Sequence, residues 1–203
     1  MNHTGFWWIL LVWALYGALH SLLASMTVKE LATRWLGVGV GRFYRLFYNL
    51  VGSVTLLPLL TAIALLPDRP LYRIPFPWEG LAMLIEGLAG LGLLFGVLQT
   101  GALQFLGLAQ LMAPPGSGGK PRLVVSGLYR YVRHPLYLFG LVLLWLLPQM
   151  TWNLLAFNLG ATAYILVGIQ FEERRLLKEF GQVYADYQRN VPMLVPLTKF
   201  HRR

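Results

Sequence analysis

From His134 to Phe171 the chain carries no Asp, Glu, Lys or Arg, and the stretches Phe6–Ala24 and Leu46–Leu66 are equally free of charge. A bilayer has a hydrocarbon core about 30 Å thick, which takes about 20 helical residues to cross. In that solvent each segment must satisfy its own backbone N–H and C=O groups, so uncharged runs of this length are read as helices. Composition agrees: 57% of the residues are hydrophobic and only 12% charged, against about 25% charged in soluble domains. The expected fold class is an all-α membrane protein of about five transmembrane helices. It forms a single integral membrane domain over residues 1–203, with N-terminal helices in 1–113 and a helical hairpin plus a C-terminal helix in 114–203.

The first span is Phe6–Ala24. Met1-Asn-His-Thr-Gly5 ahead of it contains no Lys or Arg, unlike the basic start of a signal peptide, so the helix is expected to be retained. The second span, Leu46–Leu66, contains Pro58, a kink for neighbouring helices to compensate, and ends at Pro67-Asp-Arg-Pro70. The third begins near Gly80 and holds Gly87, Gly90, Gly92 and Gly96, small residues that let helices approach closely. Their spacing is not GxGxxG and no strand precedes them, which excludes a dinucleotide fold. Glu86, inside this span, is either a functional acid or a side chain that reaches the interface from two turns within the helix. The segment from Leu103 to Leu111 reads as re-entrant or interfacial. Pro114-Pro-Gly-Ser-Gly-Gly-Lys120 is a loop but not a phosphate-binding one: Pro114 stands where a glycine is required and Pro121 where Ser or Thr is.

Pro148-Gln-Met-Thr-Trp-Asn153 divides the charge-free run after His134 into two arms. Pro135–Pro148 spans only about 21 Å as a helix, so its first end is expected to lie sunk toward the membrane. The second arm, Asn153–Phe171, is nearly a full span. Leu176, Leu177, Phe180, Tyr184 and Tyr187 then recur at helical spacing among charges, which predicts a C-terminal amphipathic helix. Five crossings put the N-terminus on the side of the neutral loop holding Asp68, Arg69, Arg73 and Glu79. The opposite side receives the loop with Lys29, Glu30, Arg34, Arg42 and Arg45, four basic residues against one acidic for +3, together with Lys120, Arg122, Arg130, Arg133 and the C-terminus. By the positive-inside rule that basic side is the cytoplasm. The net charge of +9 is accordingly assigned to membrane lipid as partner, the tail His201-Arg-Arg203 included, and not to nucleic acid. With no cysteine in the chain, disulfides, thiolate metal sites and cysteine nucleophiles are excluded, and no metal is expected.

Chemistry concentrates in Gly127-Leu-Tyr-Arg-Tyr-Val-Arg-His-Pro-Leu-Tyr137, where a polar loop meets the apolar run. Arg133, His134 and Tyr137 supply donors and an imidazole. Pro135 suits the first turn of a helix and holds His134 extended in front of it. The following apolar run ends in Phe171-Glu172-Glu173-Arg174-Arg175, so a hairpin of the two arms brings both polar clusters to one membrane face. In the plainer alternative, Glu172 and Glu173 only pair with Arg174 and Arg175 at a solvated helix end.

The ordered combination of Gly127-x-Tyr129, Arg133-His134-Pro135-x-Tyr137, the Glu pair, Phe180-Gly181-x-x-Tyr184 and Val191-Pro192 resembles the isoprenylcysteine carboxyl methyltransferase-like superfamily of membrane methyltransferases, and within it the bacterial methanethiol S-methyltransferases. The matching region is about Pro121–Pro196, and weaker likenesses at His20–Ala24, 103–110 and 150–174 extend it. The resemblance implies S-adenosyl-L-methionine as methyl donor in a cofactor pocket at the cytoplasmic face of a multi-pass bacterial inner-membrane protein. It places Pro121, Arg122, Leu123 and Val124, Tyr129, Arg133, and His134, Pro135, Leu136 and Tyr137 against the cofactor. Glu172 or Glu173 binds its ribose or amino group from the facing helix, and Gln110 is a further cofactor candidate. Related enzymes that methylate isoprenylcysteine carry an arginine for the substrate carboxylate four residues before the binding glutamate. Gly168 stands there if Glu172 is that glutamate, which favours a small thiol such as methanethiol as acceptor. His20, near the cytoplasmic end of the first span, is the candidate base for the thiol. The other readings are methylation of a lipid or isoprenylcysteine-like amphiphile and, from a different class, a non-catalytic accessory or transport-type membrane protein with the same fold.

Overall fold

The computed structural model describes residues 4–37, 40–103, 108 and 123–196. Most of them are helical, and among the described residues four helices are long and apolar enough to cross a membrane: Phe6–Ala24, Phe43–Leu65, Trp78–Thr100 and Trp152–Phe180. Large apolar side chains stand exposed along these helices, among them Trp7, Leu15, Leu57, Leu91 and Val167. A water-soluble protein would hide such a surface, whereas lipid favours it. The chain is a multi-pass membrane protein. Its residues fall into two compact units, Met1–Tyr72 with Gly101–Gly119 and Gln149–Ala161, and Arg73–Thr100 with Lys120–Pro148 and Thr162–Arg203.

The first unit starts with α1, Phe6–Ala24, whose bounds match those expected. Between the first two spans the sequence pointed to a loop; the structure has a helix there, α2, Met26–Leu36. Ser25 separates the two helices in an extended conformation. Its hydroxyl donates to the Leu22 carbonyl at 2.7 Å and accepts the Val28 N–H at 3.3 Å, so one residue closes α1 and caps α2. Gly37, at φ +87°, ends α2. α3 runs from Val40 to Leu65 with Pro58 inside it. The strand β1, Pro70–Arg73, pairs with β2, Gln149–Thr151, a short sheet with no signal in the sequence. α6, Trp152–Phe180, starts in this unit. Asp68 Oδ1 accepts the Asn153 N–H at 3.0 Å at its N-terminus, where negative charge is favoured. A side chain at Gly160 would collide with the Trp13 indole, so that glycine sets the approach of α6 to α1.

The second unit holds α4, Trp78–Thr100, α5, Pro135–Trp145, the rest of α6, and α7, Gln182–Asn190. α5 lies on the glycine face of α4: a Cβ at Gly92 would sit 2.6 Å from Phe139 Cζ, and one at Gly96 2.7 Å from Leu136 Cδ2. Gly87 and Gly90 face open space, so only half of the glycine run serves helix packing. The Trp145 indole N–H donates to Thr162 Oγ1 at 2.9 Å and ties α5 to α6. At 11 residues, about 16 Å, α5 is too short to cross a core of about 30 Å. α6 does not stop at Phe171 but carries the charged residues on to Phe180 without a break, for 29 residues in all. Gly181, at φ +56°, turns the chain into α7.

Candidate functional site

The site is assembled at the start of α5 by its neighbours in the second unit. Gln99, at the end of α4, donates its amide to the Ser126 carbonyl at 2.5 Å and accepts the Leu128 N–H at 3.3 Å. This grip needs Gly127 at φ +61°, where a side chain would strike the Gln99 amide. A 3-10 turn follows over Gly127–Arg130. The next residues pair with the C-terminal segment: the Arg133 N–H donates to the Pro192 carbonyl at 2.9 Å and the His134 N–H to Met193 at 3.1 Å. Pro135 opens α5, as the sequence required, while His134, expected to be extended, takes φ −125° and ψ 65°, outside the helical and the extended regions alike.

Glu173 of α6 is the hub. Its Oε1 accepts from Arg133 Nε at 2.7 Å and lies 3.1 Å from His134 Nε2, while its Oε2 accepts from Gln188 Nε2 of α7 at 2.9 Å. A carboxylate can only accept, so its contact with His134 puts a proton on Nε2. Arg133 Nη1 also donates to the carbonyls of Gln188 at 2.8 Å and Val191 at 2.9 Å, closing the end of α7. The Arg133, His134 and Glu173 side chains are only 9%, 5% and 12% exposed. Such a buried pair persists because hydrogen bonds satisfy its remaining groups.

Glu172 behaves differently. Its Oε2 accepts the Tyr137 hydroxyl at 3.1 Å and lies 3.8 Å from His134 Nδ1. Its side chain is 32% exposed, and no hydrogen bond or ion pair to its Oε1 is formed among the described residues. Tyr129 and Tyr187 close the cluster, the Tyr187 hydroxyl donating to the Tyr129 carbonyl at 2.6 Å. Burial, reinforced by the charge of Glu172, pushes the Tyr129 phenol up to about 12. Burial also raises Tyr187, with Arg133 pulling the other way. These hydroxyls are donors at neutral pH.

The structure therefore brings together Tyr129, Arg133, His134, Tyr137, Glu172 and Glu173. The acids take their partners from Arg133, His134, Tyr137 and Gln188, while Arg174 and Arg175 stand exposed, so the exposed-pair alternative does not describe them. Leu136 is turned to Gly96 of α4, and Pro135 is buried. Leu123 and Val124 are half-buried without regular secondary structure; Gln110, Pro121 and Arg122 lie outside the described residues. His20 belongs to the first unit, stacked on Tyr16 at 5.3 Å, 4.2 Å from the Tyr48 ring, and seated over Gly52. Glu86 is half-buried on α4. The sequence reading missed Gln188 and the Val191–Met193 strap. The signal for Gln188 was its place one turn after Tyr184, on the same face of an amphipathic helix.

Residues 78–191 match the family described as Protein of unknown function (DUF1295). Over 76 residues the chain is 57% identical to Methanethiol S-methyltransferase 2 of Bradyrhizobium diazoefficiens, a stretch covering 37% of the chain and 29% of that relative. Over 194 residues it is 31% identical to the Methanethiol S-methyltransferase of a Pseudomonas species, covering 90% of the chain and 70% of the relative. A more distant match, 34% identical over 123 residues, is the Protein-S-isoprenylcysteine O-methyltransferase of Schizosaccharomyces pombe, with 51% of the chain and 52% of the relative covered. The chain thus matches less than a third of the length of the first of these relatives. No solved structure matches the chain.

Proposed function

We propose that this chain, which belongs to the DUF1295 family and to the family of the methanethiol S-methyltransferases, is an integral membrane methyltransferase that uses S-adenosyl-L-methionine to S-methylate a small thiol such as methanethiol. The observation that carries this reading is the convergence of His134, in front of α5, and Tyr137, in its first turn, with Glu173 and Glu172 of α6, at 3.1 Å in each pair. The matches to a thiol methyltransferase and, more remotely, to an isoprenylcysteine methyltransferase support the superfamily resemblance seen in the motifs.

The residues present fit the cofactor. A zwitterionic amino-acid nucleoside brings donors in its ammonium and ribose hydroxyls, and the partly exposed Glu172 side chain has in Oε1 an acceptor with no donor among the described residues. When bound, S-adenosyl-L-methionine supplies an electrophilic methyl group on a sulfonium whose leaving group needs no proton. The protein then has to orient, to exclude water and to take the acceptor's proton. In this reading Glu172 is the carboxylate that contacts the cofactor. Glu173 and Arg133 hold His134 in place, and Tyr129, Tyr137, Leu123 and Val124 flank the cofactor. His20 takes the thiol proton. Gly168 stands one turn before Glu172, and among the described residues no heavy atom beyond its chain neighbours and its own helix backbone lies within 4 Å of where a Cβ would stand; a glycine itself offers no cation to an acceptor carboxylate, which favours an uncharged acceptor.

The chain acts as one integral membrane domain, with α5 counted as a fifth crossing aided by the residues around it, the N-terminus outside and the C-terminus in the cytoplasm. The amphipathic C-terminal helix lies over the cofactor pocket on the cytoplasmic face, and the basic loops meet anionic lipid there. The match to an isoprenylcysteine methyltransferase favours one second reading, a lipid-like amphiphile as acceptor. The test is calorimetric titration of the detergent-purified protein with S-adenosyl-L-methionine, with His134→Ala and Glu172→Gln alongside. Binding by wild type that is weakened in both variants is expected. A folded wild type that binds none contradicts the proposal and leaves a non-catalytic membrane protein of the same fold.

A further inference from the structure

Tyr184 is 1% exposed, and its hydroxyl has no hydrogen-bond partner among the described residues. Leaving a buried hydroxyl unpaired costs about 1–3 kcal/mol, and buried polar atoms in folded proteins are nearly always paired. Packing alone does not require the oxygen, since a phenylalanine ring fills the same place. The hydroxyl is therefore either a defect or one half of a bond completed by something else.

Its surroundings favour the second. On α7, Tyr184 lies one turn before Gln188, which holds Glu173, and its ring is 5.8 Å from that of Tyr187, which holds the Tyr129 carbonyl. Residues three and four apart share a helix face, so Tyr184 belongs to the face that builds the cluster. The charges of Glu173, Arg133 and Glu172 all reach its hydroxyl, and burial above all, with Glu173, keeps it protonated. It is a donor without an acceptor. In the same cluster Glu172 Oε1 is an acceptor without a donor among the described residues.

We infer that Tyr184 is a further ligand-contacting residue of this site: its hydroxyl donates a hydrogen bond to an acceptor oxygen of the bound methyl donor, while Glu172 accepts from a donor group of the same molecule. The inference rests on the methyl-donor reading. A zwitterionic amino-acid cofactor carries both kinds of group, carboxylate and ribose oxygens that accept and ammonium and hydroxyl groups that donate. Its binding pairs both protein atoms at once.

Tyr184→Phe removes the oxygen and keeps the ring. The full-length protein in detergent is titrated calorimetrically with S-adenosyl-L-methionine, and the ligand-free protein is melted in parallel. The expected result is a Kd raised about tenfold, a ligand-free Tm equal to or above that of wild type, and a smaller rise in Tm at saturating cofactor. Tyr187→Phe is the contrast: it loses a bond present in the fold, so its ligand-free Tm falls. An unchanged Kd in Tyr184→Phe overturns the inference. So does a lowered ligand-free Tm, because the hydroxyl would then be bonded in the fold itself, to protein or to water. A cooperatively melting wild type that binds no S-adenosyl-L-methionine removes the methyl-donor reading and this inference with it, whereas equal binding by wild type and Tyr184→Phe removes this inference alone.

Discussion

Glu172 and Glu173 are neighbours in sequence with opposite tasks, and the difference follows from where a helix points consecutive residues. One hundred degrees of rotation separates them. Glu173 shares a face with the fully buried Ile169 and meets Arg133, His134 and Gln188, while Glu172 keeps one oxygen open. Glu173→Gln is expected to be the more damaging change to the fold, because it leaves the buried Arg133 without its counter-charge. Breaking such a pair costs about 3–5 kcal/mol, which a melt of the ligand-free protein would register as a lowered Tm. Glu172→Gln should leave that Tm within a degree or two of wild type, since its acid is partly solvated, and weaken cofactor binding instead. Equal losses of Tm in the two variants would contradict the division. The residues that meet here were legible in the sequence because they flank a hairpin of apolar arms. Gln188 was not, because its partner lies 15 residues back along the chain and a helix turn intervenes.

Elements show where an apolar pattern suffices and where it does not. α1 begins and ends as expected because its apolar run is bounded by Gly5 and Ser25, while α2 reads as a loop because its few apolar residues are interleaved with Lys29, Glu30 and Arg34. The end of α6 was misplaced for the same reason: charge marks the end of a membrane run, but it does not end a helix, and only Gly181 does. The contact of α4 with α5 gives a test at this scale. Gly92→Val should force Phe139 aside and cost about 1–3 kcal/mol by overpacking. Gly90→Ala, facing open space, should be neutral or slightly stabilising through helix propensity; comparing the two melts checks the packing face. The tyrosines around α7 add a pH dependence. The folded Tyr129 phenol titrates at about 12, above the ~10 of an unfolded tyrosine. Above pH ~10 the unfolded state has released a proton that the folded state keeps, so stability is whole below that pH and falls as the pH rises toward 12. Tyr129→Phe should flatten this alkaline loss in melts taken from pH 8 to 12.

For the whole molecule, membrane class follows from the charge-free runs alone, and four long apolar helices bear it out. The count of crossings depends on α5, which the sequence made a short arm of about 21 Å and the structure makes a still shorter helix of 11 residues. If α5 completes a fifth crossing, reporters fused to the two ends of the chain lie on opposite sides of the membrane, the C-terminal one in the cytoplasm. Reporters on the same side would mean four crossings. No pattern in the sequence announced the β1–β2 pair or the strap of Val191–Met193 on Arg133 and His134, since both depend on backbone bonds between segments far apart in the chain. The central claim is chemical, and one measurement addresses it: purified protein, S-adenosyl-L-methionine and methanethiol in a sealed vessel, with dimethyl sulfide measured in the headspace. The account predicts dimethyl sulfide from the wild-type protein and a loss of at least tenfold in Glu172→Gln. A folded, cofactor-binding wild type that forms no more dimethyl sulfide than the protein-free control would contradict it.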